Sequence, residues 1–130
     1  MNGAGKQSGV SAVVLAAGMS RRMGTPKELL RIDGETILER TLKNVRASAA
    51  GEIVLVLGHA ADSVEKEIST DRVKIVHNQN YQQGMGTSLR AGLAAVDARA
   101  SAALIVLADQ PFVRPETLNQ LIDGLLDLIG

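Results

Sequence analysis

Glycines and cations are concentrated in the stretch from Leu15 to Lys27, a composition suited to binding phosphate. Glycine lets the backbone approach a ligand closely, so that amide hydrogens face phosphate oxygens. Arginine forms bidentate contacts with phosphate, and lysine adds a point charge. The candidates are two glycines, a serine, two arginines and a lysine: Gly18, Gly24, Ser20, Arg21, Arg22 and Lys27. The alternative interpretation is a solvated basic loop.

This stretch differs from the two common glycine-rich phosphate motifs. Gly18 and Gly24 lie one residue too far apart for a P-loop, and no Gly-Lys-Thr/Ser follows them. No Gly-x-Gly-x-x-Gly dinucleotide fingerprint is present either. A Gly-Lys-Gln-Ser run near the start has no strand before it, so we interpret residues 1–9 as a flexible tail.

A second polar stretch runs from Asn78 to Leu89. Thr87 or Ser88 is predicted to cap the helix that follows, whose free amides would suit an anion or a polar ribose. The alternative is an ordinary loop before a capped helix. Gly92 lies inside this helix, where glycine costs roughly 1 kcal/mol relative to alanine, so we expect close packing or close approach there.

Asp109 directly follows an apolar run that we interpret as a buried strand. A carboxylate there suits Mg²⁺, which takes one or two carboxylates together with phosphate oxygens and waters. The alternative is a turn or capping role for Asp109. His59 and His77 share no metal-ligand spacing, and we expect both to form hydrogen bonds at strand ends.

The elements that must position these residues follow a βαβαβαβα pattern. Four runs read as strands, each followed by residues at helical spacing, and the first, second and fourth have the pattern of buried strands. The strands are predicted at residues 10–16, 53–57, 73–76 and 103–107. Right-handed crossovers then give an open, mostly parallel sheet with helices on both faces. If the first and fourth strands are neighbours, the loop after Ala17 and Asp109 face one crevice.

The predicted helices carry apolar faces that would cover this sheet. The first three faces use Ile37, Leu38, Thr41, Leu42 and Val45, then Ala61, Val64 and Ile68, then Leu89, Leu93 and Val96. Pro115 opens the last helix, whose buried side is predicted to hold Leu118, Leu121, Ile122, Leu125, Leu126 and Ile129. We therefore expect residues 10–130 to form one α/β domain, and the chain end allows either a finished fold or a truncated one.

Composition excludes several functional classes. The 130 residues contain 14 Lys and Arg against 14 Asp and Glu, so no basic excess supports general binding to nucleic acid or an anionic membrane. With no cysteine, thiol nucleophiles, thiolate metal sites and disulfides are excluded. No apolar run approaches the length of a membrane span. We therefore expect a cytoplasmic protein.

The three polar stretches together resemble the MobA-like nucleotidyltransferases. Leu15 to Lys27 matches that family's Leu-Ala-Ala-Gly-x-Ser-x-Arg-Met-Gly-x-x-Lys signature, and residues 84–89 and 108–111 look like its second and third motifs, in family order. Ala17 and the sequence Asp109-Gln110-Pro111 favour the molybdenum cofactor cytidylyltransferases (MocA-type) over the guanylyltransferase branch. The resemblance covers about the first two thirds of the family domain.

This resemblance implies a nucleotide-diphospho-sugar transferase (GT-A-like) fold, incomplete at the C-terminus. It implies transfer of CMP from CTP to a phosphorylated acceptor such as molybdopterin, with Arg22 and Lys27 catalytic and Asp109 binding Mg²⁺. The implied nucleotide contacts are Leu15, Ala16, Ala17, Gly18, Ser20, Arg21, Gly84, Met85, Gly86 and Ser88. The alternatives are a GTP-using or sugar-phosphate nucleotidyltransferase and a non-catalytic nucleotide-binding module. The physiological acceptor and the oligomeric state stay open.

Overall fold

The computed structural model describes residues 9–16, 21–22, 25–26 and 29–129. Residues 1–8 of the predicted tail (residues 1–9) lie outside these ranges. The strands are β1 (Val10–Ala16), β2 (Arg21–Arg22), β3 (Thr25–Pro26), β4 (Arg31–Ile32), β5 (Glu35–Thr36), β6 (Glu52–Leu57), β7 (Val73–His77) and β8 (Ala102–Leu107). The helices are α1 (Ile37–Arg46), α2 (Ala61–Lys66), α3 (Met85–Ala95) and α4 (Pro115–Ile129), and a 3₁₀ turn spans Tyr81–Gln83. No helix in the described ranges has the length and hydropathy to cross a membrane.

The main sheet has four parallel strands in the order β7-β6-β1-β8. The chain passes outward from β1 through β6 to β7, then crosses back to add β8 on the other side of β1. Strand order therefore reverses between β1 and β8, where Leu15 pairs with Leu107. The predicted parallel sheet and the predicted contact between its first and fourth strands are both confirmed.

The two faces of the sheet support separate hydrophobic clusters. On β1, Val10, Ala12 and Val14 pack into a cluster shared with the buried leucines of α1 and with Leu118 and Ile122 of α4. Val13 and Leu15 point to the other face, where they join Val54 and Val56. Helix α3 covers that second face through contacts with β1 and β6. Since β1 is buried on both faces, its residues form a nearly continuous apolar run, interrupted at Ser11, rather than an alternating one.

Gly92 explains how closely α3 approaches the sheet. A Cβ atom at this position would lie 2.6 Å from Val13 Cγ1 and 2.9 Å from Val56 Cγ2. Both valines are fully buried, so neither side chain has free space to move into. The predicted close packing at Gly92 is confirmed.

Three predictions of burial were wrong. In α3 the buried residues are Ser88 and Gly92, whereas Leu93 is 46% exposed, because the helix uses small residues to approach the sheet. In α4, Leu121 and Ile129 are exposed because the core contacts only the side that carries Leu118 and Ile122. In β8, Ile105 is 40% exposed, since α3 lies over β1 and β6 rather than over this edge strand.

The hairpin β4–β5 leads the chain into α1. Asp33 and Gly34 have φ angles of +53° and +86°, the two left-handed positions of a type I′ turn. Thr36 then acts as the N-cap of α1, since its hydroxyl accepts a hydrogen bond of 3.0 Å from the Glu39 amide.

The carboxylate of Glu52 on β6 connects neighbouring strands at the amino edge of the sheet. It accepts hydrogen bonds from the Ser11 hydroxyl (2.7 Å) and the Asp97 amide (2.9 Å), and it lies 3.0 Å from Lys74 Nζ. Burial works against the charged carboxylate, but these three contacts outweigh it and hold the pKa of Glu52 below its ordinary value. This cluster connects three strands to the segment that follows α3.

Candidate functional site

Strand order reverses between β1 and β8, and we call the carboxyl edge of the sheet at this point the crevice, because ligands of open parallel sheets bind there. The Ala108 amide donates a hydrogen bond of 3.0 Å to the Leu15 carbonyl, which fixes the segment after β8 beside the end of β1. Leu15 and Ala16 are 6% and 2% exposed, with side chains in opposite core clusters. A ligand at these two positions would therefore contact backbone rather than side chains.

The basic stretch that follows β1 forms a short hairpin where it is described. Arg21 pairs with Pro26 and Arg22 with Thr25, in antiparallel orientation. The predicted ligand contacts of Ala17, Gly18, Ser20 and Lys27 fall on residues outside the described ranges.

The second motif begins with a glycine in a conformation that other residues avoid. Gly84 has φ +112° and ψ +167° and is the N-cap of α3, with no side-chain cap. The prediction that Thr87 or Ser88 caps this helix was therefore wrong, because α3 begins at Met85. Gly84, Met85 and Gly86 are exposed, and a Cβ atom at Gly86 would meet no atom within 4 Å. These residues leave the approach to the start of α3 open.

Asn78, just after β7, organises this motif and was not singled out by sequence reasoning. Its side-chain amide donates to Ser88 Oγ at 2.8 Å and to Thr87 Oγ1 at 3.0 Å. Its Oδ1 accepts from the Asn80 amide at 3.0 Å. Asn78 and Ser88 are 6% and 3% exposed, so the Ser88 hydroxyl serves this buried contact. A polar residue immediately after a predicted strand was the available signal.

Asp109 lies exposed at the carboxyl edge, between two anchored neighbours. The carbonyl of Ala108 accepts a hydrogen bond of 2.9 Å from the Thr41 hydroxyl, and that of Pro111 accepts one of 3.0 Å from Asn44 Nδ2. Thr41 and Asn44 belong to α1. Sequence reasoning placed Thr41 only on the buried face of this helix and did not consider Asn44.

A cleft of about 550 Å³ opens beside the second motif, at the carboxyl ends of β6 and β7. Its lining includes Gly58, Asp62, His77, Asn78 and Tyr81. His77 Nε2 lies 3.1 Å from Glu65 Oε1. His59 Nδ1 lies 3.4 Å from the Tyr81 hydroxyl, with the two rings edge to face. The prediction that both histidines form hydrogen bonds at strand ends is confirmed.

The side chains near the crevice fit a metal ion that is bound partly by the protein and partly by the phosphate oxygens of a nucleotide. Across the described ranges, no three His, Asp or Glu side chains are grouped so as to hold a metal ion. Asp109 places one exposed carboxylate at the crevice. Mg²⁺ is commonly bound by one or two carboxylates while phosphate oxygens and waters complete its octahedron. These residues therefore fit a metal–nucleotide complex better than a metal held by protein alone.

Two curated proteins are similar to this chain in sequence. The chain is 42% identical over 93 residues to the bifunctional IPC transferase and DIPP synthase of Rubrobacter xylanophilus, covering 67% of this chain and 21% of that protein. It is 35% identical over 114 residues to the nicotine blue oxidoreductase of Paenarthrobacter nicotinovorans, covering 87% of this chain and 55% of that protein. The different activities in these names show that the shared domain does not by itself identify a substrate.

Among solved structures, Rv0371c of Mycobacterium tuberculosis is similar, with a TM-score of 0.82 and 38% identity. The match covers 93% of this chain and 62% of that one. A second structure, of Rv0371c in complex with manganese, matches with a TM-score of 0.76 and 36% identity over 90% of this chain and 60% of that one. The expected GT-A-like α/β fold is confirmed. The chain spans about three fifths of the length of Rv0371c and a smaller share of the two curated relatives.

The sequence matches the MobA-like NTP transferase domain over residues 12–127. This range contains the end of β1, the start of α3 and the segment after β8, which carry the three sequence motifs at one edge of the sheet. The chain therefore belongs to the MobA-like NTP transferase family of nucleotidyltransferase domains.

Proposed function

We propose that the chain catalyses Mg²⁺-dependent transfer of CMP from CTP to a phosphorylated small molecule such as molybdopterin. The observation that carries this proposal is the parallel pairing of β1 with β8, which sets Asp109 beside the end of β1, where the basic stretch from Leu15 to Lys27 begins. Family membership supports nucleotidyl transfer. The choice of CTP rests on Ala17 and Asp109-Gln110-Pro111, which resemble the cytidylyltransferase branch.

The proposed reaction forms one bond and breaks one. A phosphate oxygen of the acceptor attacks the α-phosphorus of CTP, and the bond from that phosphorus to the oxygen bridging to the β-phosphate breaks. Pyrophosphate leaves with the electron pair. No general base is needed because the attacking phosphate is already anionic. The protein therefore acts by positioning the two phosphates and stabilising charge.

Each motif has a role in this proposal. Arg22 and Lys27 hold the triphosphate and stabilise the negative charge that moves onto pyrophosphate. The backbone from Leu15 to Gly18, with Ser20 and Arg21, follows the base and ribose. Gly84, Met85 and Gly86 complete the nucleotide pocket, and the buried Ser88 supports it from within. Asp109 would hold Mg²⁺, which would supply positive charge to stabilise the phosphate oxygens.

Titration of CTP in the presence of Mg²⁺ tests these assignments. Lys27→Ala and Asp109→Asn are each expected to weaken CTP binding by about 1.5–3 kcal/mol, roughly 10- to 150-fold, because each removes a charge-assisted contact. Arg99→Ala and Asp127→Asn are matched controls, since both residues are exposed and lie outside the crevice. Equal affinities across all four variants and the wild type would contradict the proposed site.

Pyrophosphate release separates the proposed reaction from its alternatives. We expect release from CTP with molybdopterin as the acceptor. Release from GTP but not from CTP would contradict the cytidylyl assignment, and release only with a sugar phosphate would contradict the acceptor class. Nucleotide binding without release, with every acceptor tried, would indicate a binding module.

A further inference from the structure

Helix α1 holds the segment that carries Asp109 through two polar side chains. Thr41 and Asn44 are three residues apart and therefore lie on the same side of the helix. Thr41 is 1% exposed and is surrounded along the helix by the buried Leu38, Leu42 and Val45. A polar side chain on such an apolar face needs a hydrogen-bond partner, and here the partners belong to the segment after β8.

The Thr41 hydroxyl anchors the residue before Asp109. It lies 2.9 Å from the Ala108 carbonyl and 3.0 Å from the Ile37 carbonyl of its own helix. Ala108 is 1% exposed, so its carbonyl has little access to water, and losing this hydroxyl would be costly. On the other side of Ala108, its amide binds the Leu15 carbonyl. The residue is thus fixed to both β1 and α1.

Asn44 anchors the same segment two residues after Asp109. Its Nδ2 donates a hydrogen bond of 3.0 Å to the carbonyl of Pro111, which is itself buried. Asp109 therefore lies between two points held by one helix, and the helix in turn packs against the cluster that contains β1. The backbone on both sides of Asp109 therefore has a defined place relative to the end of β1.

We propose that Thr41 and Asn44 are positioning residues that hold the Asp109 carboxylate for the metal–nucleotide complex. This inference rests on the proposed function. Groups that orient a metal ligand without touching the metal commonly change metal affinity by about 10- to 100-fold when removed. Thr41 is buried and the Asn44 amide is engaged by Pro111, so both would act through the Ala108–Pro111 segment.

The test measures CTP binding with and without Mn²⁺, together with the electron paramagnetic resonance signal of free Mn²⁺. Thr41→Val keeps the size of the side chain but removes the hydroxyl, and Asn44→Ala removes the amide. Each is expected to weaken Mn²⁺-dependent CTP binding by about tenfold or more while metal-free CTP binding stays at the wild-type value. Thr41→Ser retains a hydroxyl and is expected to restore binding.

Asn119→Ala is the matched control. Asn119 on α4 also binds a loop through its side chain, accepting a hydrogen bond of 2.7 Å from the Ala49 amide, but this contact lies in the loop before β6, away from the crevice. We expect this variant to lose stability without losing Mn²⁺-dependent binding. Asn44 is only partly buried, so we expect Asn44→Ala to fold and to test the inference even if Thr41→Val unfolds.

A double-variant experiment separates this inference from the function on which it rests. If Thr41 acts through Asp109, adding Thr41→Val to Asp109→Asn causes no further loss of Mn²⁺-dependent binding. The positioning role is overturned if the losses of Mn²⁺-dependent CTP binding in Thr41→Val and Asp109→Asn are additive. It is also overturned if Asn44→Ala and Asn119→Ala weaken this binding equally. The proposed function stands in both cases. Absence of Mn²⁺-dependent CTP binding in the wild type overturns both.

Discussion

Gly92 and Gly124 show how differently one residue type can act in two helices. Gly92 of α3 faces two buried valines at distances that exclude a Cβ atom. Gly124 of α4 is exposed, and a Cβ atom there would meet nothing within 4 Å. The first glycine sets the distance between helix and sheet. The second only adds backbone freedom, which the helix must restrict on folding.

Alanine substitutions at these two positions are therefore expected to have opposite effects. Gly92→Ala should destabilise the fold by about 1–3 kcal/mol, since Val13 and Val56 must move to accept the methyl group. Gly124→Ala should stabilise it by about 0.5–1 kcal/mol through helix propensity. Urea unfolding measures both. A stabilising effect of Gly92→Ala would contradict the close packing of α3.

The candidate site was only partly predictable at this scale. Asp109 and the glycines at the start of α3 were found because their types and their positions after strands already suggest a ligand. Thr41 and Asn78 were missed because their role depends on what they contact: Thr41 binds a carbonyl 67 residues away in the chain. No local sequence pattern reveals the partner of Thr41, since a threonine at this helical spacing fits the apolar stripe of α1 equally well.

At the scale of elements, the start of α1 is fixed by the turn and the capping residue that precede it. The Asp33–Gly34 turn closes the hairpin, and Thr36 then caps the helix through the Glu39 amide. Glu39 in turn accepts hydrogen bonds from Arg46 and from the Ser69 amide, so the beginning of α1 is tied to its own end and to the segment after α2. These contacts fix the helix that carries Thr41 and Asn44.

Thr36→Ala should destabilise the fold by about 1 kcal/mol, because the helix loses its capping acceptor. Thr36→Ser retains the hydroxyl and is expected to keep most of this stability. Thr117→Ala, at an exposed position inside α4, serves as a control for the change in side-chain size. Thermal unfolding of the three variants measures the difference. Equal losses in Thr36→Ala and Thr36→Ser would argue against capping.

Elements buried on both faces were predicted more accurately than those with one exposed face. β1 was predicted with the bounds that the structure has, because a central parallel strand needs apolar side chains on both faces. The buried side of α3 was predicted wrongly because its contact with the sheet uses Ser88 and Gly92, and neither has the hydrophobic side chain that a periodicity count detects.

At the scale of the whole molecule, the two edges of the sheet have different tasks. The carboxyl edge carries the three motifs, while the amino edge is joined by Glu52 to Ser11, Lys74 and the Asp97 amide. Asp97 is itself held by Arg99, whose guanidinium lowers the pKa of that carboxyl to about 2. This charged cluster thus lies away from the edge that is proposed to bind nucleotide.

Glu52 makes stability depend on pH. Since its pKa is lower in the folded chain than the ordinary value of 4.5, its stabilisation is complete above pH 4.5 and is lost as the pH falls through the folded-state pKa. Glu52→Gln should lower stability at pH 7 by about 1 kcal/mol, with a smaller difference from the wild type in acid. Urea unfolding midpoints of Glu52→Gln and the wild type, at pH 7 and in acid, measure this difference. Asp123→Asn, on the exposed side of α4, should leave the acid dependence unchanged.

The position of β1 between two partners also bears on how the chain folds. Ser11 is paired with Glu52 on one side and with Ala103 on the other, so the second pairing closes more than twice as much chain as the first. Longer loops cost more entropy to close, and we expect β8 to join the sheet after β6 and β7. The crevice does not exist until β8 has docked. A nucleotide bound there would therefore stabilise the last step of folding, so that ligand binding and completion of the sheet form one coupled equilibrium.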